Sequence, residues 1–400
     1  MFAKNKPACM RNPMVTASND LNSAGTRLAS IDALRGLVIV IMFIDHLRDY
    51  FFSYLIIDDP INVTTADTAQ FVIRLFSSVC APMFVLLTGI SAYLYGQSHS
   101  KREVSTFLLK RGLFLMLLEL TVVNTAWTGK IPPDTFYLQV IWAIGLSMVA
   151  LSLFIHLPKP TQWLIVLTGI AGHNVLDGFV LSSNHSLHTA WSLFHQRDWI
   201  MITDSVSART SYPLLPWPCV MLLGYQLGKV FEPKINSKTR QLSLAKQGLL
   251  SLAVFFLVRT VNVYGDKQWT ANGDGGTTLM SFFALTKYPP SLLFLLFTLG
   301  VGLLLMACIE RWKDSRLTHL LVPLGTAPMF FYILHLYLIG ITYLLCVSFF
   351  GANHGERFGF DKMWQLWTVF AILMPPLYYA TLWFGQLKQR RKDIRWLKYF

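Results

Sequence analysis

The sequence predicts an all-α fold: a polytopic integral membrane bundle of about ten transmembrane helices with both termini cytoplasmic. Three observations predict it. Hydrophobic residues make up 54% of the 400 and charged residues only 14%, outside the usual balance of a soluble domain. Apolar runs near the roughly 20 residues needed to cross the hydrocarbon core recur from Ile31 almost to the C-terminus. Finally, Lys and Arg gather in alternate loops, as short cytoplasmic loops require.

The expected spans are 30–52, 70–96, 105–127, 136–156, 162–182, 213–230, 245–265, 286–310, 321–349 and 364–387. With the N-terminus inside, about 23 of the 34 Lys and Arg fall in cytoplasmic segments and about 9 outside. The inner clusters are Lys101/Arg102/Lys110/Arg111, Lys229 to Lys246, Arg311/Lys313/Arg316 and the tail from Lys388 to Lys398. Both termini then lie on the same side, which requires an even number of spans. Retention of positive loops and contact with anionic lipid account for the net charge of +13, so no nucleic-acid partner is expected.

Residues 1–26 are polar and basic without a continuous apolar core, and read as a disordered cytoplasmic leader and not as a cleavable signal. Residues 27–387 form one membrane domain, and 388–400 a basic cytoplasmic tail. The five cysteines are scattered singly, so neither a metal site nor a disulfide is expected.

The first span opens at Ser30 or Asp32, either of which can cap a helix. It carries Arg35 near one end and Asp45-His46-Leu47-Arg48-Asp49 near the other. An arginine within a span costs about 2.5–3.5 kcal/mol even on the lenient insertion scale, so a partner or bound anion should compensate. At 100° per residue, Arg35 and His46 fall within about 20° of one face but roughly 16 Å apart along the axis. Asp32 and Asp49 lie within about 60° of that direction, and Asp45 points elsewhere. An extended substrate with an anionic end near Arg35 and a reactive end near His46 would use both, and acyl-coenzyme A has that shape. Histidine suits proton transfer at neutral pH, and Asp49 is placed to orient its ring. The alternative for Arg48 and Asp49 is snorkelling to the outer headgroups.

Glu119 and Asn124 put further polar groups inside the third span, and His335 does so in the ninth. Prolines at 213–218, 289–290 and 328 break helix ends, which membranes tolerate only beside protein or a wet cavity. Two long outer loops, 183–212 and 266–285, are rich in polar and aromatic residues, a composition suited to holding a sugar. Their candidates are His195, Asp198 and Trp199, joined by Lys287 and Tyr288 at the start of the next span.

The stretch Arg27 to Gly36, continued by Asp45 to Phe51, resembles bacterial proteins that carry the heparan-alpha-glucosaminide N-acetyltransferase catalytic domain. Further matches are Cys80 to Gly89, Tyr212 to Trp217 with Gly224-Tyr225, Thr286 to Leu292 and Pro328 to His335. The resemblance implies a transmembrane acyltransferase moving acetyl from cytoplasmic acetyl-CoA to a sugar or amino-sugar acceptor across the membrane. The geometry of the first span assigns catalytic roles to His46 and Asp49 and a coenzyme A site to Arg35 and Asp32, with no metal expected. The location the resemblance implies is a bacterial cytoplasmic membrane, where a homodimer is compatible with the family. In the lysosomal members the position matching His46 is not His, and the proposed active His lies further on. Here no His occurs between Leu47 and Ser98, which leaves His46 as the candidate in that region. Two rival classes are a transporter for a small polar or anionic solute, whose broken helices would surround a midplane site, and a structural partner in an envelope-glycan assembly.

Overall fold

The most heavily charged of the expected spans is the innermost helix of the bundle. The computed structural model describes residues 28–55, 59, 61–63, 67–271, 273–391 and 393–400; the leader 1–26 lies outside them. Helix α1 (Ala29–Phe51) packs against α2 (Thr68–Ser77), α3 (Cys80–Tyr95), α12 (Leu292–Arg311), α13 (Arg316–Thr326), α14 (Pro328–Phe350) and α15 (Met363–Arg390). Its apolar residues at i, i+3 and i+4 spacing, Leu34, Val38, Phe43, Leu47 and Phe51, are fully enclosed. The α1–α13 contact is backbone to backbone. A Cβ on Gly36 would sit 2.1 Å from the Leu321 carbonyl oxygen, and one on Gly325 would sit 1.8 Å from that of Asp32.

Each expected span coincides with helical structure, but several are shorter or broken. The third is α4 (Lys101–Leu118), a π-turn at Glu119–Val123, and α5 (Asn124–Thr128). Helix α4 opens with a capping box in which Ser100 and Glu103 satisfy one another's backbone N–H groups. The fourth is α6 (Val140–Phe154), and the fifth is α7 (Lys159–Leu167), which unwinds into π and 3-10 turns ending at Leu176. The sixth, α9 (Trp217–Leu227), starts after Pro213 and Pro216 with Pro218 in its first turn, and the eighth, α12, starts after Pro289 and Pro290, both later than expected. The seventh is α10 (Ser237–Val261), and the ninth is divided between α13 and α14 at Ala327.

Five helical segments are long and apolar enough to cross a bilayer: Thr68–Tyr95, Ser237–Val261, Leu292–Arg311, Pro328–Phe350 and Met363–Arg390. Outward-facing leucines such as Leu249, Leu250 and Leu257 on α10 and Leu344 and Leu345 on α14 would be costly in water but suit lipid. The chain is therefore an integral membrane protein.

The expected all-α fold needs one small correction. The loop expected on the outer side adds α8 (His188–Phe194) and a hairpin of β2 (Trp199–Thr203) and β3 (Val206–Arg209), and β1 (Thr135–Tyr137) joins β3 in parallel, in the order β1-β3-β2. Between α10 and α12 lies α11 (Gly275–Phe283), capped by Asp274. Beyond Arg390 the chain folds back: Leu397 is buried, and the Phe400 ring packs near Phe114 of α4 and Phe384 of α15.

Candidate active site

Helices α1 and α14 bring together two histidines 289 residues apart. His46 Nδ1 lies 2.7 Å from His335 Nε2, with the rings nearly parallel. His335 Nδ1 is 2.9 Å from the Phe331 carbonyl oxygen, which can only accept, so Nδ1 carries the hydrogen. In a neutral His335 the Nε2 is then the acceptor and His46 Nδ1 the donor. This leaves His46 Nε2 with its lone pair, the form a general base needs. Trp127 and Tyr332 meet the His46 ring edge-on, at centroid distances of 5.3 and 6.0 Å.

Two expectations for this end of α1 are corrected. The orienting partner of His46 is His335, because Asp49 is turned to Arg48, whose Nη2 lies 2.6 Å from its Oδ1. Arg48 does not snorkel outward: it is 2% exposed and also bonds Asp45 at 2.9 Å. A buried guanidinium between two carboxylates offsets the desolvation that isolates a single charge.

At the opposite end, Arg35 donates to Asp32 Oδ1 at 3.1 Å, to the Leu87 carbonyl at 3.4 Å and to the Ser91 hydroxyl. Between the two ends lies an apolar cavity of about 580 Å³, lined by Met42, Phe84, Leu115, Ile144, Met329 and Tyr332 together with Arg111. The Arg111 Nε is buried and has no hydrogen-bond partner among the described residues. A guanidinium donor left unmatched beside a cavity is costly unless an acceptor enters, and an anionic ligand group is such an acceptor.

The loops expected on the outer side line a second, partly open cavity, more polar than the first, with His195, Arg197, Tyr288, Asp59, Asp177 and Asp266 among its lining residues. His195 Nε2 bonds Asp177 at 3.1 Å. The Arg197 guanidinium lies 4.6 Å from the Tyr288 ring centroid. Asp59 accepts from the backbone N–H groups of Lys287 and Tyr288 and pairs with Arg74 at 3.3 Å. Burial pushes the Asp266 carboxyl up, although Ser291 and Thr286 donate to it.

The remaining candidates divide. Tyr288 and His195 line the outer cavity, and Lys287 is buried just behind Tyr288, its Nζ 5.2 Å from that ring's centroid. Asp198 instead bonds His188 at 3.1 Å, and Trp199 is exposed beneath Arg209; neither lines this cavity. Burial opposes ionisation of Asp198, yet hydrogen bonds from His188, the Trp199 N–H and Gln196 outweigh it and hold the carboxyl below its usual range. Arg111, Trp127 and Tyr332 escape a reading of the sequence. Arg111 counts there as one of a cytoplasmic cluster, and nothing local distinguishes Tyr332 from the other aromatics of its span.

These features define the class: an integral membrane helical protein with a hydrogen-bonded histidine pair beside an internal cavity. Its family follows from the sequence, because the model of the family described as heparan-alpha-glucosaminide N-acetyltransferase, catalytic, matches residues 27–265, and the chain belongs to that family. The matched region contains His46, Arg35, Arg111 and His195, while Tyr288, Tyr332 and His335 lie beyond it. No curated protein matches the chain. Family membership makes the chain a membrane acetyltransferase by class.

Proposed function

We propose that this protein transfers an acyl group, acetyl in the first instance, from cytoplasmic acyl-coenzyme A to a sugar or amino sugar on the outer side of the membrane. The observation that carries the reading is the His46–His335 pair, flanked by an apolar cavity on the Arg35 side and a polar cavity among the outer loops. In this reading the chain crosses the membrane about ten times with both termini in the cytoplasm, and it resides in a bacterial cytoplasmic membrane.

The residues fit such a donor. The apolar cavity suits the thioester arm, and Arg111 with Arg35, held by Asp32, supplies cationic groups for its phosphates. The donor contributes an activated acyl group. His46 Nε2 takes the proton from the acceptor's hydroxyl or amine as that atom bonds to the acyl carbon, and then gives the proton to the departing sulfur. His335 holds the base in the required tautomer. His195, Arg197 and Tyr288 position the acceptor.

The test is release of free thiol from acetyl-CoA by the purified full-length protein across a panel of amino sugars and envelope glycans, comparing wild type with His46→Ala. Turnover lost in the variant, with folding and coenzyme A binding intact, supports the reading. Folded wild-type protein that does not bind coenzyme A would overturn it and favour a carrier.

A further inference from the structure

The pocket around His46 contains polar hydrogens that the protein itself does not use. Tyr332 is 3% exposed, and its hydroxyl has no hydrogen-bond partner among the described residues. Trp127 Nε1 is likewise buried and without a hydrogen-bond partner among the described residues. Glu119 Oε1 accepts from the Gln139 N–H at 3.3 Å, at the start of α6, while its buried Oε2 has no such partner among the described residues. Native interiors rarely leave buried donors unmatched, and those that remain call for an explanation. Here both donors sit on the two rings that meet His46 edge-on, and Tyr332 also lines the apolar cavity.

We propose that the Tyr332 hydroxyl is the donor that stabilises the acyl oxygen as negative charge develops on it. The assignment rests on the acyltransferase reading and adds a residue to it. When the acceptor atom bonds to the acyl carbon, the carbonyl π pair moves onto oxygen, and His46 Nε2 receives the acceptor's proton. Tyr332 O–H donates to that oxygen. On collapse the C=O bond re-forms, the C–S bond breaks, and the sulfur leaves with the proton held by His46. Tyr332 keeps its own proton throughout. A donor pre-placed in a site that excludes water is worth more than one in solution, because it needs no reorganisation.

Tyr332→Phe tests this, because it deletes only the hydroxyl. The expected result is a fall in kcat of about 10²–10³-fold, with KM for acetyl-CoA held within about threefold. The thermal midpoint should hold or rise, because the variant removes a buried group that lacks a partner. Folded Tyr332→Phe protein with near wild-type kcat overturns the assignment and leaves the transferase reading standing. A lowered midpoint, matched by Glu119→Gln, also overturns it, by making the hydroxyl a structural partner of Glu119. Wild-type protein without thiol release on any acceptor would instead sink the transferase reading, and this assignment with it. Incorporation of 3-fluorotyrosine at 332, which keeps the shape and the O–H, should retain the rate.

Discussion

Replacing His335 with Phe isolates the contribution of the histidine pair. The slightly larger phenyl ring keeps an aromatic face against Phe43, whose centroid lies 5.8 Å from the His335 ring, and lacks both ring nitrogens. His46 Nδ1–H then loses the acceptor it holds at 2.7 Å. An unmatched buried donor costs about 1–3 kcal/mol, which biases His46 towards the tautomer whose proton sits on Nε2. At about 1.4 kcal/mol per factor of ten, the basic tautomer falls by about 5–150-fold. Loss of ring orientation adds to this, within the 10²–10⁴-fold that a general base supplies. The expectation is therefore a kcat about 10²–10³-fold below wild type in single-turnover thiol release at saturating donor. His335→Gln, whose amide oxygen can accept from Nδ1–H, should recover about tenfold of that loss. Combining His335→Phe with His46→Ala should cost no more than His46→Ala alone, because the two act as a unit. His335→Phe protein within about threefold of wild type would refute the argument.

Three further outcomes follow from the geometry. Arg111→Met should raise KM for acetyl-CoA about tenfold or more while sparing kcat, since a charge-assisted bond to an anion contributes about 1.5–3 kcal/mol; an unchanged KM would remove Arg111 from the donor site. Gly36→Ala places a methyl 2.1 Å from the Leu321 carbonyl oxygen, where ordinary contact begins at 3.4 Å. It should destabilise the detergent-solubilised protein by at least about 1–3 kcal/mol, read as a lower thermal midpoint. Asp198, held below its usual range by His188 and its other donors, stabilises the outer loop above the unfolded pKa of about 3.9, and that stabilisation disappears as pH falls through its depressed folded value. Protection against hydrogen exchange around α8, normalised to the intrinsic rate at each pH, should fall on acidification in wild type and depend less on pH in Asp198→Asn; identical profiles would count against it.

The helices were legible because lipid imposes a single demand on each span, namely backbone bonds closed within the segment and apolar side chains around it. The exceptions are places where local chemistry overrides length. Prolines delay α9 and α12, and Ala327, outside the helical region at φ −136° and ψ 58° and followed by Pro328, divides the ninth span. The constellation of Arg35, His46 and Asp49 was visible because charge is conspicuous in an apolar run. Its pairing was not, because helical spacing reports which residues share a face of one helix and says nothing of what the neighbouring helix presents. His335 and Tyr332 reach His46 only through the packing of α14 on α1. The same limit explains Arg48: its position near a span end suggested headgroups, and only the enclosure of α1 by its neighbours turns it inward to Asp45 and Asp49.

That enclosure also explains how a helix so rich in charge persists in a membrane protein. Asp32, Arg35, Asp45, Arg48 and Asp49 on one helix would be a poor lipid-facing span, and α1 is not among the five segments apolar enough to cross on composition alone. Helices such as α10, α14 and α15 turn most of their apolar surface outward, which leaves the interior to α1 and lets protein groups replace water around its charges. Asp32 serves Arg35, and Asp45 with Asp49 serves Arg48. Once the charges at both ends are committed to one another, the side chain of α1 left with an unpaired ring nitrogen is His46, and its tautomer is set by a histidine on a different helix. A bundle that holds its polar residues on a shielded central helix can therefore place a proton acceptor deep between two cavities, which the proposed transfer requires.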